Sequence, residues 1–365
     1  MGKWILAGKN IDIDKEISAY NSLDHAGRVR RAKHLGYSRL QNYRLFIETE
    51  SRRRAIPLPA LAPDTPPPAG PPVINLPPVE LKIYRHEKSR SPETQVLHLT
   101  DHHDEEITPS YNHKVYETRL DHIFQSTLRI TELHRNMYPV NDLEIFMTGD
   151  MVHGENPHQG AKVESINKGA QRQIFDSALP ALTSFVLSCK QEFKTVKLRC
   201  VPGNHGRYSR EAPATSNWDL ILYKSLASVL KPYDIEVEVS NSFYLIVTVQ
   251  GSKFFLFHGD QCKATMGVPY FSLTKKVMSW YVTYDGFDYA VCGHFHKDDF
   301  LRISSKCKLF MGASMVTDDP FAQEIIGTSS VPCQWTWGVH KNKGVTWAYS
   351  LLVDDKYFPQ KRDAV

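Results

Sequence analysis

The 365-residue sequence predicts a mixed α/β fold, and three observations predict it. Short apolar runs at 95–100, 143–148, 196–201, 253–257 and 288–292 read as buried strands. Long helical patterns at about 113–137, 165–193, 217–230 and 270–281 alternate with them. Strand-like runs at 243–249, 301–303, 308–311 and 345–352 cluster without intervening helices. This order suits two packed sheets flanked by helices, although other mixed folds share it.

Composition sets the class. Hydrophobic residues make up 41% and charged residues 23%, as in ordinary soluble globular proteins, and the length suffices for a large core. No run approaches a membrane span, residues 1–6 are too short for a signal peptide, and Leu6 breaks a myristoylation motif. The six cysteines form no CxxC pair and several sit in apolar runs, which points to reduced thiols and a cytoplasmic location. Cys292, beside a histidine block, reads as strand core.

From the N-terminus, Ile13, Ile17, Tyr20 and Leu23 have helical spacing over 12–23. A second helix is expected over 26–35, a turn at Gly36-Tyr37, and a third helix from an N-cap at Ser38 to about Ile47. Val29, Ala32, Leu35, Leu40, Tyr43 and Ile47 would form the seam of this small all-α module. Residues 28–39 are similar to a helix-turn-helix, whose second helix enters the major groove. Residues 1–54 carry twelve Lys/Arg against six Asp/Glu, a net of +6 in a chain of net +4. Arg28, Arg31, Arg39 and Arg44 are the candidate nucleic-acid contacts, and a basic hairpin that docks on a protein is the alternative. Residues 56–79 hold ten of the twenty-two prolines and read as a semi-rigid linker. The domains expected are thus 1–54, a linker at 55–79, and a catalytic region at 80–365.

The chemistry lies where the strands end. Asp101-His102-His103, Gly149-Asp150, Gly203-Asn204-His205, His258-Gly259 and Gly293-His294-Phe295-His296 each follow an apolar run. Ligands in open α/β sheets gather at such strand ends. The set has Asp, Asn and His but no thiolate, which suits divalent metals of intermediate hardness. Asp101 and His103, two apart in a segment expected to be extended, should face one metal, and His294 and His296 share that spacing.

In this order the five blocks resemble the calcineurin-like metallophosphoesterase superfamily over about two-thirds of the chain. The resemblance implies a four-layer sandwich of two mixed sheets flanked by helices. It also implies a two-metal centre that hydrolyses phosphoesters with a metal-bridging hydroxide. By resemblance the first site is Asp101, His103, Asp150 and His296. The second is Asp150, Asn204, His258 and His294, with Asp150 shared. Mn²⁺ is expected, with Fe and Zn²⁺ as alternatives. His205 matches the family's non-ligand histidine, which in protonated form would stabilise phosphoryl oxygens or protonate the leaving group. The acid that often follows this block is replaced by Gly206. His153 and His158 are weaker candidates for substrate contact, and His102 should point away from the metals.

The blocks at 258–261 and 293–296, with 268–271 between them, are similar to members encoded by bacteriophages and prophages. Residues 150–157 resemble the Gly-Asp block of double-strand-break repair nucleases over a short stretch. A nuclease or phosphodiesterase acting on DNA or other nucleic acid is therefore expected, the basic module raising local substrate concentration. The alternatives are a protein phosphatase or small-nucleotide phosphoesterase with a protein-docking module, and a DNA-binding regulator.

Overall fold

Every residue of β3 (Glu93–Leu99) is buried, as in a strand covered on both faces. Its side chains alternate accordingly. Leu97 and Leu99 join the core beneath helices α4 (His113–Arg135), α6 (Leu179–Glu192) and α7 (Trp218–Leu230), whereas Val96 faces a second sheet. This is a computed structural model, and it describes residues 3–6, 9–37, 40–55, 88, 91–155, 166–209, 213, 215–263, 269–318 and 331–354. Residues Met1–Tyr84 and Arg85–Val365 form two compact units.

The larger unit has a six-stranded sheet. Besides β3 it contains β4 (Val140–Met147), β5 (Thr195–Cys200), β6 (Glu236–Val239), β12 (Cys333–His340) and β13 (Gly344–Leu352). Their order is β13-β12-β3-β4-β5-β6, with β3 to β6 parallel and the other two antiparallel. The second sheet combines β7 (Tyr244–Val249), β8 (Ser252–Phe257), β9 (Tyr289–Cys292), β10 (Asp299–Arg302) and β11 (Lys308–Met311). Its order is β10-β11-β9-β8-β7, parallel in the middle and antiparallel at both edges.

Phe146, Phe254, Phe310 and Trp337 fill the space between the sheets. Leu273 and Val277 of α8 (Tyr270–Thr283) cover the outer face of the five-stranded sheet. The result is helix, sheet, sheet, helix: the four-layer sandwich. Among the described residues no helix is long and apolar enough to cross a membrane.

Two strands of the larger unit were not predicted. β6 is a four-residue edge strand, and β12 interrupts its apolar pattern with buried Gln334, Thr336 and Gly338. The helix expected over 165–193 is also interrupted. Between α5 (Ala170–Arg172) and α6 runs a π-helical turn, Gln173–Ala178. Such turns recur at functional sites, and Gln173 of this one bonds the backbone of Gly154, four residues after Asp150.

The smaller unit is not all-α. A hairpin of β1 (Lys3–Leu6) and β2 (Lys9–Asp12) precedes α1 (Ile13–Ser22), α2 (His25–His34) and α3 (Leu40–Ala55). Asp12 and Asp24 cap α1 and α2 through their carboxylates, which explains the helix starts. Tyr20, Ala32, Leu35, Tyr43 and Ile47 are buried together, while Val29 is only half-buried. The proline-rich linker, Arg39 and His158 lie outside the described residues.

Candidate metal centre

β3, β4 and β5 end at Leu99, Met147 and Cys200, and β8 and β9 end at Phe257 and Cys292. The residues that follow converge from both sheets. Asp101, His103 and His296 bring ligand atoms together in one group, and Asp150, His258 and His294 do so in another. Asn204 joins the second, its Oδ1 lying 3.0 Å from His258 Nε2.

The backbone route differs from the expectation. Asp101 and His103 do not alternate along a strand; they lie beyond β3 with φ of 51° and 47°. Asp150, His294 and His296 are also left-handed, at 54°, 71° and 53°. A non-glycine residue in this region costs about 1–2 kcal/mol, and such residues persist where surrounding contacts over-determine them. The intervening His102 is buried against the Tyr116 ring, away from the converging atoms as expected.

Those contacts are visible. The His294 amide donates to both Asp101 oxygens, at 3.1 and 2.8 Å, and Thr100 Oγ1 donates to Asp101 Oδ2 at 2.6 Å. Gln334 brackets Thr100, accepting from its amide at 2.8 Å and donating to its carbonyl at 3.1 Å. Buried Asp219 accepts from the amides of Asp150 (2.9 Å), Met151 (3.1 Å) and Gly203 (2.9 Å), and so ties two of the loops together. A Cβ on Gly203 would lie 2.1 Å from Asp150 Oδ1, so glycine is needed for the loops to meet. Sequence reasoning missed Asp219 and Gln334. Asp219 reads as an ordinary acid in the first turn of α7, and Gln334 belongs to a strand that was not predicted.

The donor set fits a cation. His258 Nδ1 donates to the Thr148 carbonyl at 2.7 Å, which leaves the lone pair on Nε2. That nitrogen faces Asp150 Oδ2 at 2.9 Å and Asn204 Oδ1 at 3.0 Å, all three offering electron pairs. In the other group the separations are 3.1 Å (His103 Nε2 to His296 Nε2), 3.4 Å (His296 to Asp101 Oδ1) and 3.8 Å (His103 to Asp101 Oδ1). Two atoms each about 2.1 Å from one ion lie about 3.0–3.4 Å apart, so most of these spacings suit a shared ion.

The charge balance agrees. Burial opposes charge on His258, yet the Asp150 carboxylate, with Asp101, pushes its pKa up to about 10. The position therefore demands a positive charge, which a divalent ion supplies in the proton's place. Burial holds His103 well below its ordinary range and His294 down to about 4, keeping both neutral as metal ligands must be.

His205 stands beside the first group, its ring 4.3 Å from that of His103. Its amide donates to Asp150 Oδ1 at 2.8 Å, and its Nδ1 donates to the His153 carbonyl at 3.2 Å. That carbonyl orients the ring in place of the missing acid. Gly206 is there for another reason: a Cβ would meet Asn217 Oδ1 at 2.2 Å. Burial lowers the His205 pKa to about 3, which favours the neutral ring over the imidazolium. His153 also reaches the centre, its ring 5.3 Å from that of His205 and its Nδ1 3.1 Å from Glu106 Oε2. The π-helical Gln173 clamps the next residue, accepting from the Gly154 amide at 2.8 Å and donating to its carbonyl at 3.0 Å.

In the smaller unit the candidate arginines have partners of their own. Arg31 pairs with buried Glu16, Arg28 donates to the Tyr20 carbonyl and stacks over its ring, and Arg44 pairs with Glu48.

Residues 94–298 match the model of the calcineurin-like phosphoesterases. No curated protein matches the chain. Among solved structures it is similar to a dimetal phosphatase from Danio rerio, at 12% identity and a TM-score of 0.40, over 72% of this chain and 99% of that one. Zinc-complexed Vps29 from Entamoeba histolytica gives 11% and 0.33, over 70% and 99%. A predicted phosphoesterase from Streptococcus pneumoniae gives 11% and 0.30, over 71% and 98%.

Proposed function

The chain belongs to the calcineurin-like phosphoesterase family, and from that premise we propose that it is a two-metal phosphodiesterase that cleaves nucleic acid. The observation that carries the metal reading is the meeting of His258 Nε2, Asp150 Oδ2 and Asn204 Oδ1 around a buried point that demands positive charge. Asp101, His103, Asp150 and His296 hold one ion, and Asp150, Asn204, His258 and His294 hold the other. When bound, the ions supply Lewis acidity to the phosphoryl oxygens and lower the pKa of water. Manganese is the first choice, with iron and zinc compatible with the same donors.

The protein's own groups do the positioning. Asp219 and Gln334 fix the loops that carry Asp101, Asp150 and Asn204. His205, held through Nδ1, keeps Nε2 available to take the proton that the attacking water gives up and to pass it to the leaving oxygen. The basic surplus of residues 1–54 supports a polyanionic substrate. A specific observation favours a second reading: Arg28 and Arg31 are engaged within their own unit, as in a module that docks on protein. The enzyme would then act on small nucleotides or phosphoproteins.

A panel of single- and double-stranded DNA, RNA, cyclic and linear nucleotides and phosphopeptide, each with Mn²⁺, separates the readings. A truncation beginning at Glu80 sharpens it. That fragment should match the full chain on a small chromogenic diester but cleave long DNA or RNA with a raised KM, the deficit shrinking as salt rises. Equal efficiency on long nucleic acid at low salt rules out recruitment.

A further inference from the structure

A second charged cavity lies at the other end of the sandwich. It is about 320 Å³ in volume, and its lining includes Ser252, Asp288, Lys306, Lys308, Lys341 and Lys343. Ser252 opens β8 and Asp288 precedes β9, whereas His258 and His294 follow the far ends of those strands. The cavity therefore belongs to none of the loops that build the metal centre.

Four lysines share this space with one aspartate. That aspartate is already engaged, since Asp288 Oδ2 accepts from the Lys253 amide at 2.8 Å. Lys308 lies over the Phe300 ring, and Lys343 lies over Tyr138 with its Nζ 3.2 Å from the phenol oxygen. Both partners engage the ammonium groups themselves, and neither is an anion, so the charges stay unneutralised. Like charges gathered in one concavity repel, and an anion bound among them relieves that repulsion.

The walls are fixed in advance. Tyr289 OH accepts from the Val345 amide at 2.9 Å, pinning the turn that carries Lys341 and Lys343. Ser304 Oγ accepts from the amides of Lys306 and Cys307, at 3.2 and 3.1 Å, and fixes the opposite turn. Fixed walls reduce the ordering cost of binding. The volume sits at the small end of ligand pockets, too small for a groove that tracks a polymer. Ammonium groups on separate turns suit phosphate as point charges.

We propose that this cavity binds a compact anion with adjacent phosphate groups: free pyrophosphate, or the phosphate tail of a nucleotide. The test is calorimetric titration of the full-length, metal-loaded protein with the magnesium complexes of pyrophosphate and of ATP. Binding should weaken as NaCl rises, because charge contacts are screened. Pyrophosphate and ATP binding equally assigns recognition to the phosphates, and ATP alone assigns it to the nucleotide. The variant Lys306→Gln/Lys341→Gln should weaken binding at least tenfold, with melting temperature and chromogenic diester hydrolysis unchanged. Lys306→Arg/Lys341→Arg should restore most of the affinity. The proposal is overturned by undiminished binding in the glutamine variant, by sulfate at equal ionic strength binding as well as pyrophosphate, or by binding of an oligonucleotide alone.

Discussion

Asp219 offers the sharpest test of how the centre is held. Its carboxylate accepts three backbone amides from two loops, and the side chain has no access to solvent. Asp219→Asn keeps the shape but turns one acceptor oxygen into a donor. If the remaining oxygen serves Asp150 and Gly203, the new NH₂ group faces the Met151 amide, donor against donor. A charge-assisted hydrogen bond contributes about 1.5–3 kcal/mol, and an unsatisfied buried amide costs about 1–3 kcal/mol. The two describe one loss, so the variant should be destabilised by about 2–3 kcal/mol. For a unit of this size that lowers Tm by roughly 4–12 °C. The shifted loops carry Asp150 and Asn204, so metal affinity should fall about 10- to 100-fold. Thermal unfolding of the metal-free protein reads the first effect. Metal titration against a chromophoric chelator reads the second, and supplying saturating metal should recover part of kcat. An Asp219→Asn protein with wild-type Tm and metal affinity within twofold of wild type would refute the argument.

Asp150→Asn should abolish hydrolysis and lower metal content at both positions, whereas His296→Ala should empty chiefly the first and Asn204→Ala the second; anomalous scattering at the metal edge distinguishes them. His205→Ala should retain metal and lose about 10²–10⁴ in turnover on poor leaving groups. The loss should be smaller for p-nitrophenolate, and equal losses would show that His205 does not assist departure. In the smaller unit, Arg31 and then Tyr43 hydrogen bonds hold the buried Glu16 carboxyl below its ordinary pKa of 4.5 against the opposing effect of burial. The folded form therefore releases the proton more readily, so this contribution is present above pH 4.5 and fades as pH falls through the depressed value. Glu16→Gln should flatten that acid limb in a pH series of circular-dichroism melts of the full chain, and an unchanged limb would show that the pair adds nothing. Arg31→Ala should destabilise the module by about 1–2 kcal/mol, a figure reduced by the arginine's partial exposure.

The legible parts of the fold were those with a one-dimensional signature. Apolar strands followed by Asp, Asn or His, and helices with regular apolar spacing, were placed within a few residues, except that α3 runs on to Ala55 where an end near Ile47 was expected. β12 escaped because Gln334 and Thr336 are polar in sequence and buried in the fold, their hydrogen bonds made to Thr100, Ala313 and Val96. The π-helical turn escaped because its extra residue is stabilised by Gln173 bonding to Gly154, which is remote in sequence. The left-handed ligand residues escaped for a related reason. Two residues apart means one face only on a strand, and Asp101 and His103 reach one group through a tight turn held by the second sheet. Asp219 carries no local sign that its partners are the amides of Asp150, Met151 and Gly203.

Each candidate ion site takes donors from both sheets: Asp101 and His103 with His296, and Asp150 and Asn204 with His258 and His294. Bound ions would therefore act as rivets between two halves that are already stitched here by hydrogen bonds from the His294 amide to Asp101 and from His258 to the Thr148 carbonyl. The polypeptide segments joined this way are far apart in sequence, so metal supply becomes a quality check on folding. A ligand at a hundred times its dissociation constant stabilises by about 2.7 kcal/mol. Newly made chains in metal-poor surroundings would lack that increment and open first at the ligand-bearing rim. Scarcity of metal would then remove the protein as well as silence it.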